Sequence, residues 1–381
     1  MELDISSLIA LRRNLHQFPE LGFYEKLTKQ KIINFLSDLN VEVHEGSGVI
    51  GVLRAGKGNR AIGLRADMDA LPIGETSKHG YRSKIDGVMH ACGHDGHMAM
   101  LLGAVETLVK KPDFDGTVVF IFQPNEEHGL GAKKMIEEGF LEKFPLEEVY
   151  AIHNLPGAPA GQVSTRAGLI CSSESLFEIN VSGQGGHASM PHLGQDTITI
   201  GAEIVQALQT VVSRKLAPGS GAVLSITEFL TDGQRNVLPG HATLKGDVRT
   251  RSTKDRDQVK SFMKQICKGI EISHSASVEL SFDTQFIETV NAFEPTSAAV
   301  RVSEQLGFET ISNREPMSFS EDFAHFSKAI PGCFILLGNG VEAKNARPLH
   351  SSDYDFNDQL LPIGAEFWAA LVRDRLPKSY T

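Results

Sequence analysis

The sequence predicts a mixed α/β protein, with a largely parallel central sheet flanked by helices and a second, smaller unit inserted into it. Three observations carry this. Apolar runs such as TVVFIF at residues 117–122 and FILL at 334–337 are unbroken rather than alternating, as expected of strands covered on both faces. Segments of helical period fall between them, and alternating strands and helices build parallel sheets. Residues 177–287 instead run strand, helix, strand, strand, helix, strand, the βαββαβ order of a self-contained ferredoxin-like unit. The larger unit would then comprise residues 1–176 and 288–381. At 381 residues the chain exceeds one ordinary core and accommodates two.

In chain order, the N-terminal MELDISSLIALRRNLHQF reads as an amphipathic helix, and residues 25–40 carry a second helical stripe. Residues 41–43 alternate briefly. Residues 49–55 and 61–66 are strand-like, joined by Gly56-Lys57-Gly58-Asn59. A strand rather than a helix follows that turn, which excludes a phosphate loop and favours a hairpin. The second strand ends in Asp67-Met68-Asp69. MHACGHDGH at residues 89–97 leads into a helix over 97–108, with Asp95 where a cap would sit. Strand 117–122 ends in Gln123-Pro124-Asn125-Glu126-Glu127, helix 130–138 follows, and strand 148–152 ends in His153. The inserted unit places strands at 176–182, 222–230, 241–250 and 277–287 and helices at 197–212 and 254–270. Helix 295–306 and strand 334–337 return to the first unit, and His350 lies in the loop after that strand.

Composition narrows the function. Hydrophobic residues at 41% and charged residues at 22% are ordinary for a soluble globular chain, and no run reaches the length of a membrane span. The N-terminus lacks the basic-then-apolar order of a signal peptide. A net charge of -10 makes nucleic acid and anionic membranes poor partners. The βαββαβ order also occurs in RNA-binding modules, but its strands here lack the glycine-aromatic signature. Cys92, Cys171, Cys267 and Cys333 show no pairing pattern, so free thiols in a reducing cytoplasm are expected.

The chemistry concentrates around Cys92 and His94. Side chains two apart in an extended segment face one way, which brings a sulfur and a nitrogen donor together. The N-terminus of the following helix would favour the thiolate. A lone buried cysteine is usually a small hydrophobe, so the reading depends on distant donors. In parallel sheets, sites form beyond the carboxyl ends of strands. Asp67, Glu126, Glu127 and His153 stand at such ends, and His350 follows another. Cys92, His94, Glu127, His153 and His350 exceed what one tetrahedral ion and a water require, but suit two ions if the thiolate bridges. Adjacent glutamates in an extended segment point opposite ways, so of Glu126 and Glu127 one can ligate while the other faces the water as a general base.

Eight segments then line up in order: RADMDALPI (65–73), HACGHDGH (90–97), QPNEE (123–127), AIHNLPG (151–157), GGHAS (185–189), NVLPG (236–240), SEDFA (320–324) and LHSSDYDF (349–356). Together they resemble the hippurate hydrolases and N-acyl-amino-acid amidohydrolases, including the hydrolases of indoleacetyl amino acids, within the aminoacylase–carboxypeptidase clan of di-metal enzymes. The resemblance covers nearly the whole chain. It implies two divalent ions, Zn2+ or Mn2+ with Co2+ or Ni2+ also compatible, held by Cys92, His94, Glu127, His153 and His350. It implies hydrolysis of the amide of an N-acyl amino acid, with Glu126 moving the proton of the attacking water. Asp67 would orient the site from behind it. The inserted unit would be a lid through which the chain forms a homodimer. His187 would stabilise the oxyanion, Asn236 would contact the substrate carboxylate, and Arg249 would assist it. Dipeptidase or carboxypeptidase action and deacetylation of a biosynthetic intermediate are the neighbouring alternatives. A thiol-based redox or metal-storage protein would need no base beside the ligands and no lid. Three positions depart from the pattern. Arg65 stands where distant clan members carry a ligating histidine, and arginine cannot ligate. Asn125 and Phe319 each replace a smaller residue.

Overall fold

The computed structural model describes residues 3–342 and 344–378. It divides into two compact units. The larger runs up to Ile170 and resumes over Thr289–Pro316 and from Asp322 onward; the smaller comprises Cys171–Glu288 with Met317–Glu321.

The larger unit is built on an eight-stranded sheet ordered Glu42–Glu45, Val49–Ala55, Gly116–Gln123, Ala61–Asp67, Glu148–Pro156, Gly332–Gly340, Val163–Ser164, Thr310–Ile311. The four strands from Gly116–Gln123 to Gly332–Gly340 are mutually parallel. Their residues are almost all buried, which is why these runs are continuously apolar rather than alternating. Phe120, Leu64, Tyr150 and Ile335 fill the core with Leu101 of the His94–Lys110 helix and Trp368 of the Leu360–Arg375 helix. Parallel order puts Asp67, Gln123 and the His153 segment at one end of the sheet.

Two local expectations are corrected. Val49–Ala55 and Ala61–Asp67 do not form a hairpin. Gly116–Gln123 lies between them, antiparallel to the first and parallel to the second. The glycine turn steps over the start of that strand: the Lys57 and Gly58 N–H groups both donate to Asp115 Oδ1 at 2.6 Å. A strand as apolar as TVVFIF requires a neighbour on each side, and this order supplies both. Secondly, the helix begins at His94, not at residue 97, and Asp95 is not its cap. Gly93 takes the cap position with a left-handed φ of 94°. Asp95 lies fully buried in the first turn, where Arg12 and His16 claim its carboxylate.

The smaller unit is a four-stranded antiparallel sheet ordered Val223–Thr231, His241–Thr250, Ser173–Ser182, Ser277–Phe286. One face is covered by the helices Thr197–Thr210 and Thr253–His274. Here the strands do alternate, because only one face is dry: Phe177, Ile179, Val181, Leu244 and Val248 pack against Ile204, Leu208, Met263 and Cys267. The unit is wider than the segment 177–287. Its first strand starts at Ser173, and residues 317–321 join it because the Ser172 N–H donates to the Met317 and Phe319 carbonyls.

Gly246, in the middle of this sheet, has no room for a side chain. A Cβ there would run into the Ser225 carbonyl and the Phe177 ring. Gly246→Ala is expected to destabilise the smaller unit by about 1–3 kcal/mol through overpacking, read as a lower urea midpoint.

Candidate metal centre

The larger unit brings all five expected donors together. Cys92 lies in the loop before the His94–Lys110 helix, and its Sγ is 3.4 Å from His153 Nε2. One donor atom each from Cys92, His94 and Glu127 falls within 4.8 Å of the others. His94 Nε2 is 3.8 Å from Glu127 Oε1, and His350 Nε2 is 3.3 Å from Glu127 Oε2. Ligands held 2.0–2.3 Å from a tetrahedral ion stand about 3.3–3.8 Å apart, so these separations match the edges of metal polyhedra. Cys92 is common to both contacts, with His153 and with the His94–Glu127 group.

The backbone aims the rings. His94 Nδ1–H donates to the Asp69 carbonyl at 2.8 Å, and His153 Nδ1–H donates to the Asn154 carbonyl at 2.8 Å. Both turn Nε2 inward, the arrangement that prepares an imidazole to ligate. His350 sits in a left-handed conformation at φ 63°, and its N–H donates to the Ala91 carbonyl at 2.8 Å. That bond docks the C-terminal loop against the segment before Cys92. Gly93 must stay glycine, since a Cβ there would strike Asn154 and the Tyr354 hydroxyl.

Electrostatics show what the cage wants. Burial, reinforced by Glu127, Glu126 and Asp67, pushes the Cys92 thiol well up. Burial first, and then these carboxylates, work against the thiolate that the helix N-terminus was expected to favour. Burial would lower His94, but Asp67, Asp69 and Glu127 raise it to about 10. Burial, aided by His97, holds His153 well down as a neutral imidazole. His94 Nε2 and Glu127 Oε1 are buried without a hydrogen-bond partner. Buried polar atoms are normally satisfied, and divalent cations would satisfy these. The residues fit a di-metal centre of mixed sulfur, nitrogen and oxygen donors.

Asp67 borders the cage: donor atoms of Asp67, His94, His97 and His153 lie within 4.8 Å of one another, with Asp67 Oδ2 3.7 Å from His94 Nε2, and its carboxylate is also held by other partners. Its Oδ2 accepts from Arg65 at 2.7 Å and its Oδ1 faces His97 Nδ1 at 2.7 Å. Burial would raise this carboxyl, yet His94, His97 and Arg65 hold it well below the usual range.

Glu126 and Glu127 lie in a turn, not in an extended segment as expected. Asn125, at a left-handed φ of 47°, begins the turn. Hydrogen bonds then separate the two acids. Glu127 N–H donates to Asp69 Oδ2 at 3.0 Å, while Glu126 Oε1 accepts from the Asp322 N–H at 3.2 Å. Asp322 is fixed in turn by Gln123 Nε2 at 2.7 Å and the Ala132 N–H at 2.8 Å. Asp69, Asn154, Asp322 and Tyr354 carry no role in the sequence reading. All four stand inside its quoted motifs, and Asp69 also follows a strand of apolar character that could have flagged it. Asn154 donates to the Tyr354 hydroxyl at 2.6 Å.

His187, Asn236 and Arg249 belong to the smaller unit. His187 pairs with Val237 in a two-residue ladder, which sets Asn236 next to it. The His187 ring is exposed, and its Nδ1 accepts from the Ser189 hydroxyl at 2.8 Å. Arg249 is committed to neighbours within that unit: Glu174, Asp247 at 2.8 Å and Ser320 at 3.0 Å.

Comparison with known proteins agrees with this geometry. The sequence model of Peptidase family M20/M25/M40 matches residues 63–374. A thermostable carboxypeptidase of Saccharolobus solfataricus is 37% identical, over 96% of this chain and 94% of its own. The hippurate hydrolase of Campylobacter jejuni is 37% identical, over 95% and 94%. The N-acetylcysteine deacetylase of Bacillus subtilis is 35% identical, over 96% of each. Among solved structures, a dinuclear metal-binding peptidase of Bacillus subtilis superposes with a TM-score of 0.83 at 31% identity, covering 98% of both chains.

Because Asp67 and Arg65 position His97 and the wall behind His94, Asp67→Asn should weaken divalent-metal affinity by about 10–100-fold. Competition with a chelating dye measures this, and an unchanged affinity would remove Asp67 from the site.

Proposed function

This chain belongs to Peptidase family M20/M25/M40, and from that premise we propose that it hydrolyses the amide bond of N-acyl amino acids, releasing a carboxylic acid and a free amino acid. The observation that carries the reading is the five-donor cage with Glu126, only 5% exposed, fixed beside it. Cys92, His94, Glu127, His153 and His350 would hold two divalent ions, zinc or manganese among them. Bound there, the ions would polarise the amide carbonyl and acidify water.

The chain's own residues do the rest. The Glu126 carboxylate, held by the Asp322 N–H, takes the proton of the attacking water and returns it to the leaving nitrogen. Such a proton relay contributes roughly 10²–10⁴ in rate. His187 donates to the developing oxyanion, Asn236 receives the substrate carboxylate, and Arg249 supports that end. The inserted unit serves as lid and as homodimer contact. Its edge strand Val223–Thr231 leaves Val223, Phe229 and Leu230 exposed, which favours a partner there. Four buried free thiols and a charge of -10 favour a cytoplasmic enzyme that works without nucleic acid or membrane. No helix among the described residues is long and apolar enough to cross a membrane. The names of the relatives sustain a second reading, removal of a carboxyl-terminal residue from short peptides.

Two experiments test this. A panel of benzoyl-, acetyl- and indoleacetyl-amino acids set against dipeptides should show turnover of the acyl substrates first; activity confined to dipeptides would transfer the protein to the second reading. Glu126→Gln should lose about 10²–10⁴ in kcat while retaining its metal, as counted by elemental mass spectrometry. Retention of full turnover would refute the role of Glu126.

A further inference from the structure

A buried line of hydrogen bonds runs behind the cage and ends on Glu126. Arg65, Asp67 and Gln123 are at most 1% exposed, and Asp67 and Gln123 are paired at the carboxyl ends of adjacent parallel strands. Arg65 and Asp67 stand two apart on one strand and so face the same way. Arg65 Nη1 donates to Asp67 Oδ2 at 2.7 Å, and Arg65 Nε donates to Gln123 Oε1 at 2.8 Å. From there Gln123 Nε2 donates to Asp322 Oδ2 at 2.7 Å, and the Asp322 N–H donates to Glu126 Oε1 at 3.2 Å. Arg65, which cannot ligate, thus connects the carboxylate bordering His94 to the residue that holds Glu126.

The chemistry of this line points to Gln123. A guanidinium only donates and an ionised carboxylate only accepts. A side chain that joins them must accept at one end and donate at the other. A primary amide does both, and its two partners fix which way round it lies. Glutamate would set a second carboxylate against Asp322, methionine would offer neither bond, and asparagine is one methylene shorter. Both ends of the amide are anchored. Gln123 is the last residue of its strand, and its carbonyl accepts from the Met68 N–H at 2.9 Å. Asp322 Oδ2 accepts a second bond, from the Ala132 N–H at 2.8 Å. With its carboxylate held by two donors, Asp322 presents its own N–H in one direction.

We infer that Gln123 is a positioning residue for the proposed general base: it couples the Arg65–Asp67 pair to Asp322 and, through the Asp322 N–H, sets where the Glu126 carboxylate stands. The inference rests on the hydrolytic reading for the role of Glu126. No proton passes through Gln123, which acts only by holding Asp322. A misplacement of about 1 Å in a reacting group costs on the order of 100-fold in rate, so a small shift of Glu126 is enough to be seen.

Two variants of the full chain test this. Gln123→Met keeps the length of the side chain and loses both bonds. Gln123→Glu keeps the bond from Arg65 and replaces the other by repulsion. Each should lower kcat by about 10–100-fold, with KM unchanged and the wild-type number of metal ions per chain by elemental mass spectrometry. Unchanged kcat, a rise in KM alone, or a loss of metal that matches the loss of activity would each overturn the role. Gln123→Met adds no buried charge and carries the test if Gln123→Glu fails to fold. Its crystal structure gives a readout that needs no substrate: Glu126 Oε1 should have left the Asp322 N–H, and an unmoved Glu126 refutes the inference. A wild type that hydrolyses neither acyl amino acids nor dipeptides would sink the hydrolytic reading, while the crystal comparison would still decide what Gln123 does.

Discussion

The larger unit is arranged around the cost of burying acids. Asp67, Asp69, Asp95 and Glu126 are all at most 5% exposed, and Glu127 is nearly as deep. An unpaired buried carboxylate is expensive, so each must be balanced. Arg65 and His97 answer Asp67, Arg12 and His16 answer Asp95, the Glu127 N–H answers Asp69, and the Asp322 N–H answers Glu126. After this pairing, Glu127 Oε1 and His94 Nε2 are left facing each other without partners. Each of these acids has at least one partner, whereas the two atoms that would ligate have none.

The parallel sheet is what makes this possible. Four strands deliver their carboxyl ends to one edge, bringing carboxylates and imidazoles to meet the Cys92–His94 segment. The left-handed turn at Gly93 lets Cys92 and His94 reach the same point from either side of a helix start. Asn154 and Tyr354 fill the space that a side chain at 93 would take. Neither a strand nor a helix at 92–94 would place sulfur and imidazole as this turn does.

That geometry also explains what could be read in advance. The unbroken apolar runs revealed the central strands because complete burial leaves a one-dimensional trace. Glu127 and His153 were legible because they stand at or just beyond the carboxyl ends of those strands. Strand neighbourhood was not: the false hairpin at residues 49–66 is locally plausible, and only the need of Gly116–Gln123 for two partners rules it out. The thiol of Cys92 was misjudged for a related reason. The helix N-terminus is visible in sequence, whereas the crowding of Glu126, Glu127 and Asp67 around the sulfur exists only in three dimensions. The turn at Asn125 shows the same limit. The two glutamates were expected in an extended segment, but they lie in a turn bonded to Asp69 and Asp322, distant in sequence.

Arg12 connects these levels. Its fully buried guanidinium reaches Asp95 at 3.4 Å, Asp355 at 3.2 Å, Asp358 at 2.8 Å and the Phe356 carbonyl at 3.0 Å. Burial alone would lower its pKa, but three acids hold it above the ordinary value, so it is a permanent charge. Asp95 adjoins His94 in sequence, and the loop bearing Asp355 and Asp358 also bears His350. One cation on the N-terminal helix therefore fixes the helix start that presents one ligand and the loop that presents another. Breaking such a buried pair from one side typically costs about 3–5 kcal/mol, because the other charge stays behind. The dependence runs one way. The cage needs Arg12 to hold its walls, whereas Arg12 is satisfied by acids that would not themselves ligate the ions.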